Sequence, residues 1–186
     1  MKNAFFIGNA LLWLQLFEIF SQYLKLTVAA QASLTNIKCT SFNKTFVSFA
    51  ECRLNLVQRG FNEYSISLKV HQPPIENVTV HLQFMKKSNG YHPYMVDTIF
   101  DACKFMNTKS NPLLKYLYGF LRPYTNVNHS CPYNHDLIVK NLRIDQRLLN
   151  AAAILPTGDY AIFTNWMMNN KKMARLEIYM RYQEYK

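Results

Sequence analysis

Four cysteines, Cys39, Cys52, Cys103 and Cys131, and five scattered histidines, His71, His81, His92, His129 and His135, are the residues best equipped for chemistry. No two cysteines have the short spacing of a zinc knuckle, and the one close grouping, Cys131 with His135 and Asp136, lacks an evident fourth ligand, so no metal site is expected. None of the histidines neighbours a serine in a nucleophile elbow or pairs with a cysteine in a protease signature. His135-Asp136 is the one place where a carboxylate could orient an imidazole for acid–base work. A loop histidine bonded locally beside a disulfide accounts for the same residues, so a secreted hydrolase is the weakest of three readings and no cofactor is expected. Asp97 and Asp101 face the same way on a strand, without a second feature to make them a catalytic pair.

The N-terminus decides what the cysteines are for. A short positive start, Met1-Lys2-Asn3, precedes an apolar run from Ala4 to Phe17, and Ala30-Gln31-Ala32 before Ser33 has the small-x-small form of a signal-peptidase site. Residues 1–32 are expected to be a signal peptide and 33–186 a single secreted, extracellular domain. Asn9, Gln15, Glu18 and Lys25 interrupt the run, which argues against an uncleaved anchor, and no later segment is apolar enough to span a bilayer. An even number of cysteines behind an export signal implies two disulfides. Three sequons, at Asn43, Asn77 and Asn128, agree with that route.

Elements that could position a site follow from periodicity. Tyr64, Ile66, Leu68 and Val70 alternate with polar residues, as do Val78, Val80, Leu82 and Phe84, then Leu176, Ile178, Met180 and Tyr182, and Cys52, Leu54 and Leu56. Such alternation marks half-buried strands. Less regular strands are expected at 34–42, 93–101, 137–144 and 159–167. Breakers such as Gln72-Pro73-Pro74, Ser88-Asn89-Gly90 and Met168-Asn169-Asn170 separate them. Leu113, Leu114, Leu117, Phe120 and Leu121 instead follow helical spacing between the Ser110-Asn111-Pro112 cap and Pro123, predicting one short helix over 111–121. The fold class is therefore all-β, an immunoglobulin-like sandwich of about seven or eight antiparallel strands with one inserted helix.

Charge and aromatic content narrow the partners. Of 21 Lys and Arg against 11 Asp and Glu, Lys2, Lys25 and Glu18 leave with the signal, so the mature domain stays basic. Its basic residues are dispersed, with Lys86-Lys87 and Lys171-Lys172 the only doublets, and nucleic acid is not an expected partner. The 13 Phe and 12 Tyr either fill a sandwich core or line a space between splayed sheets. In the second case an acyl chain gains about 0.8 kcal/mol per buried methylene, and Leu68, Leu82, Phe84, Leu117, Phe120, Trp166 and Met180 are the lining candidates. In the first, a solid-cored extracellular interaction domain would engage a membrane receptor ectodomain through its basic face.

The strings Thr35-Asn36-Ile37-Lys38-Cys39, Asp101-Ala102-Cys103-Lys104-Phe105, Ser110-Asn111-Pro112, Tyr118-Gly119-Phe120, Cys131-Pro132-Tyr133-Asn134-His135-Asp136 and Gly158-Asp159-Tyr160 resemble a large, insect-expanded secreted family of unknown function. The resemblance covers about residues 34 to 183. That family is similar to fly chemosensory-type proteins and, more remotely, to the ML-type lipid-recognition domains that include the ganglioside activator. Arg53 and Asn134 depart from it, where an aromatic and an aspartate are more usual. The resemblance implies a sandwich that opens around a lipid or other apolar small molecule in chemosensory or extracellular signalling, and it does not imply catalysis. Four cysteines allow three pairings; the one favoured here joins Cys39 with Cys52, clipping the first hairpin, and Cys103 with Cys131, closing the segment that carries the helix.

Overall fold

The computed structural model describes residues 29–58, 61–143 and 155–185, with positions 13, 15 and 18 besides. The signal peptide expected over 1–32 lies largely outside the described residues. The chain forms two compact units, Gln31–Gln183 and a second made of Met1–Ala30 with Glu184–Lys186; the sandwich is the first.

Eight strands form two antiparallel sheets. β1 (Ala29–Ser41), β8 (Lys171–Tyr185), β7 (Gly158–Met168), β4 (Thr79–Lys87) and β5 (Tyr91–Asp101) lie in that order in one sheet; β2 (Val47–Gln58), β3 (Phe61–Val70) and β6 (Leu137–Leu142) make the other. Turn chemistry fixes the hairpins. Asn169 and Asn170 both take positive φ, 48° and 60°, as a two-residue hairpin with the right twist requires. At the β4–β5 turn Gly90 sits at φ 116°, where a side chain would be strained. On β5 the register slips from Gln83↔Asp97 to Met85↔Pro93, a bulge at Met95 (φ 63°) that with Pro93 blunts this edge strand.

Two helices follow β5. The expected one is α2 (Pro112–Leu121), with the Asn111 side chain accepting from Leu114 N–H. Ahead of it is a seven-residue helix, α1 (Ala102–Thr108), absent from the periodicity reading. Asp101 ends β5 and caps α1 through Lys104 N–H at 2.9 Å, which is how its carboxylate is used. No described helix is long and apolar enough to cross a membrane.

The core is packed most tightly at one end. There Val47 and Leu68 of the small sheet meet Val80 and Ala174 of the large one, with Ile75, Val78, Tyr133 and Leu137 among them. Toward the other end Tyr64, 1% exposed, reaches across from β3 and places its hydroxyl 2.9 Å from the carbonyl oxygens of both Asn36 and Tyr179. Burial raises the Tyr64 phenol far above its ordinary pKa. The outer face of the large sheet carries an apolar cluster of its own, where Tyr179 meets Tyr91 and Phe163 edge to face beside Met85 and Ala161.

Both disulfides form with the pairing favoured from sequence. Cys39–Cys52 ties the edge strand β1 to the edge strand β2 of the opposite sheet. Cys103–Cys131 ties the first turn of α1 to the loop leading into β6. The sandwich is thus stapled along both of its open sides.

Candidate ligand-binding site

The face of the large sheet that looks onto the small one can be read row by row from strand register. Val80 pairs with Trp166 and Trp166 with Ala174, at the packed end. The next row is Thr98, Leu82, Thr164 and Leu176; then come Phe84, Ile162 and Ile178; then Lys86, Tyr160 and Met180. Val80 and Ala174 are buried, and so is Tyr160, yet all seven side chains of the two middle rows are only half-buried. A fully packed sandwich would bury them. Three strands at about 4.8 Å spacing cover roughly half the width of five, so the small sheet, bearing Tyr64 and Ile66, cannot close over the whole face.

Five of the seven lining candidates, Leu68, Leu82, Phe84, Trp166 and Met180, therefore share the space between the sheets. Leu68 and Trp166 belong to the packed end, where with Val78, Met168 and others they surround a void of about 20 Å³. That is room for about one water molecule. Leu117 is half-buried on α2, and Phe120 sets its ring edge-on to the half-exposed Tyr116, 4.8 Å away. Helical periodicity put these two on the apolar stripe, whereas Leu114 and Tyr118 are the α2 residues seated inward, Tyr118 against Phe105.

Beyond the middle rows stands an aromatic and cationic rim that the alternation reading stopped short of. Phe84 stacks on Tyr160 with centroids 5.3 Å apart and planes 8° from parallel. The Lys86 ammonium lies 5.1 Å from the Tyr94 ring centroid and 6.0 Å from that of Tyr160. The signal was present in the sequence, since Lys86 continues the series Val80, Leu82, Phe84.

On the outer side of this rim, Asp159 receives Arg181 Nε at 2.7 Å and lies 3.7 Å from Lys87 Nζ. The Arg181 hydrogen bond, with smaller help from the charges of Arg181 and Lys87, holds its carboxyl below the ordinary 3.8. A depressed folded-state pKa adds stability that is complete above the unfolded value and disappears as pH falls through the folded one. Asp159→Asn is accordingly expected to flatten the fall in thermal midpoint as pH drops below about 4, read from melting curves of both proteins; superimposable curves would contradict it.

The histidine readings resolve differently. Asp136 Oδ1 accepts the Val70 N–H at 3.0 Å, at the end of β3, and does not orient His135. His135 instead lies 2.8 Å from the Asp136 carbonyl oxygen through Nδ1 and 3.1 Å from His129 Nε2 through Nε2. An imidazole–carboxylate contact does occur on the outer face of β4 and β5, where His81 Nε2 is 2.5 Å from Asp97 Oδ1 and Gln83 donates to Oδ2 at 3.1 Å. The His81 bond holds the exposed Asp97 carboxyl below its ordinary value. Sequence gave both residues and not the register that joins them. Among the described residues no group of three or more metal-binding side chains gathers.

The three sequons fall at one end of the sandwich. Asn43 is adjacent to Phe42, whose N–H bonds to Met173 O; Asn77 precedes Val78; Asn128 follows Val127, which packs on the same core cluster. Asn77 and Asn128 are exposed and Asn43 is half-buried, its Oδ1 accepting from Thr45. This is the tightly packed end, and the exposed Lys171 and Lys172 lie there too. The Lys86 rim is at the other.

A family model described as "Protein of unknown function (DUF1091)" matches residues 80–162. The match runs from Val80 on β4 to Ile162 on β7 and includes both helices, β6, Lys86 and the Cys103–Cys131 staple. No curated protein matches the chain.

Proposed function

We propose that this protein is secreted and binds a lipid or other apolar small molecule between its sheets, in chemosensory or other extracellular signalling. The observation that carries the reading is the half-buried apolar band Leu82, Phe84, Ile162, Leu176 and Ile178 on a face turned toward the second sheet. Apolar surface left half-hydrated beyond the packed end gains about 25 cal/mol per Å² when a ligand covers it. Binding then requires the sheets to part in the middle while the disulfides hold the sides, because the existing void is about 20 Å³. The export signal and the sequons support passage through the secretory pathway.

The test uses natively secreted, glycosylated protein. Solvent extraction and mass spectrometry are expected to recover a bound apolar molecule. At a hundredfold excess over Kd, added ligand contributes about 2.7 kcal/mol, a rise in Tm of roughly 5–10 °C. An empty extract together with a Tm that no fatty acid or sterol moves would sink the reading. The small void favours the second reading, a solid-cored domain that engages a receptor ectodomain. Its basic doublet Lys171-Lys172, however, shares the end that carries all three sequons, where glycans would crowd a partner.

A further inference from the structure

Building on that reading of the inter-sheet space, we propose that the ligand is a long-chain carboxylate whose head group is held by Lys86. On β4 the side chains of Val80, Leu82, Phe84 and Lys86 share one face, so about 20 Å of apolar surface ends in an ammonium group. The walls around that group are ring faces, Tyr94 at 5.1 Å and Tyr160 at 6.0 Å, and Phe84 lies flat on Tyr160. Ring faces attract a cation yet leave its N–H donors without acceptors. Among the described residues no carboxylate pairs with Lys86. Of the described side chains toward this end, Asp159 is committed to Arg181 and Lys87 on the outer face and Glu63 to Arg143 on the small sheet. A half-buried cation with no counter-ion among the described residues, at the end of an apolar track, fits an amphiphile that brings its own anion.

Location agrees with this chemistry. All three sequons border the opposite end, so glycans leave the Lys86 rim clear as an entrance. An entering chain would lay its tail along Phe84, Leu82 and Ile162 toward Trp166. A single charge-assisted hydrogen bond then selects for a carboxylate over a neutral head group, an advantage of about tenfold or more.

Dissociation constants for hexadecanoate and hexadecanol, measured on the glycosylated protein at a pH where the acid is ionised, separate the claims. Wild type is expected to prefer the acid by about tenfold, Lys86→Met to lose that preference while keeping its affinity for the alcohol, and Lys86→Arg to retain it. Should Lys86→Met fail to fold, Lys86→Gln makes the same comparison. Equal affinity for acid and alcohol in wild type, or a preference that survives both neutral substitutions, overturns the assignment of Lys86 and leaves apolar binding intact. Failure of either compound to bind overturns the proposed function itself, and this inference with it.

Discussion

Replacing Tyr64 by alanine is expected to destabilise the protein by about 3–5 kcal/mol, the cost of removing a fully buried aromatic ring. Tyr64→Phe, which removes one oxygen, is expected to cost about 1–3 kcal/mol. The difference follows from what each part of the side chain does. The ring fills space between β3 and the large sheet and is 1% exposed. The hydroxyl offers one hydrogen, shared between the carbonyls of Asn36 on β1 and Tyr179 on β8. Without it those acceptors lose a buried donor, and the small sheet loses its polar tie to the β1–β8 edge. Urea unfolding of wild type, Tyr64→Phe and Tyr64→Ala gives the two increments separately. A phenylalanine variant as stable as wild type would show that the hydroxyl does not tie the sheets.

Tyr64 also illustrates what could be read from the chain and what could not. Its place on an apolar face follows from Tyr64, Ile66, Leu68 and Val70 alternating with polar residues, and the same rule located β4, β8 and half of β2. Alternation assigns faces, not neighbours. It cannot say that β4 pairs with β7, across 70 residues of chain, or that Tyr64 reaches β1. The same gap hid the His81–Asp97 contact, which depends on the register of β4 against β5. At His135 and Asp136 the locally bonded loop histidine is what forms, because consecutive side chains diverge and Asp136 turns to the Val70 amide.

Short helices are hard to read for a different reason. α2 carries an Asn-Pro start and five apolar residues at helical spacing. α1 has seven residues, of which Phe105 alone is buried. Its apolar positions Ala102, Phe105 and Met106 make a single turn, and its strongest mark, the Asp101 cap, also reads as the last residue of a strand. Among the lining candidates Leu68, Leu82, Phe84 and Met180 lie on strand faces that alternation assigned, while Phe120 was placed by a helix face whose inward direction depends on Phe105 and Tyr118 packing together. Lys86 was passed over because a charged residue ends a hydrophobic series, although its position in that series puts it on the inner face.

Removing the Cys103–Cys131 bond by a double serine substitution is expected to cost about 3.5 kcal/mol, and removing Cys39–Cys52 about 3 kcal/mol, by the entropy of closing each loop in the unfolded chain. The sequence separations are 28 and 13 residues, and the cost grows only with the logarithm of loop length, so the two should differ by less than 1 kcal/mol. Their structural consequences should differ more. The first bond holds the segment with α1 and α2 against the loop that enters β6; the second joins the edges of opposite sheets. The bonds staple opposite sides of the sandwich and share no partner, so their losses should add. Together they amount to about 6–7 kcal/mol, comparable with the whole stability of an ordinary domain of about 5–15 kcal/mol. The four-serine protein is therefore expected to be largely unfolded at 37 °C, while each double variant folds with a lower urea midpoint and a steeper slope, because the unfolded chain without its cross-link exposes more surface. Circular dichroism melts and urea titrations of the three variants check this. If the four-serine protein melts within a few degrees of wild type, core packing carries the fold and the disulfides are dispensable to it. A sandwich that parts its sheets to admit a ligand needs its sides held, so ligand-induced rises in Tm should be smaller in either double variant than in wild type.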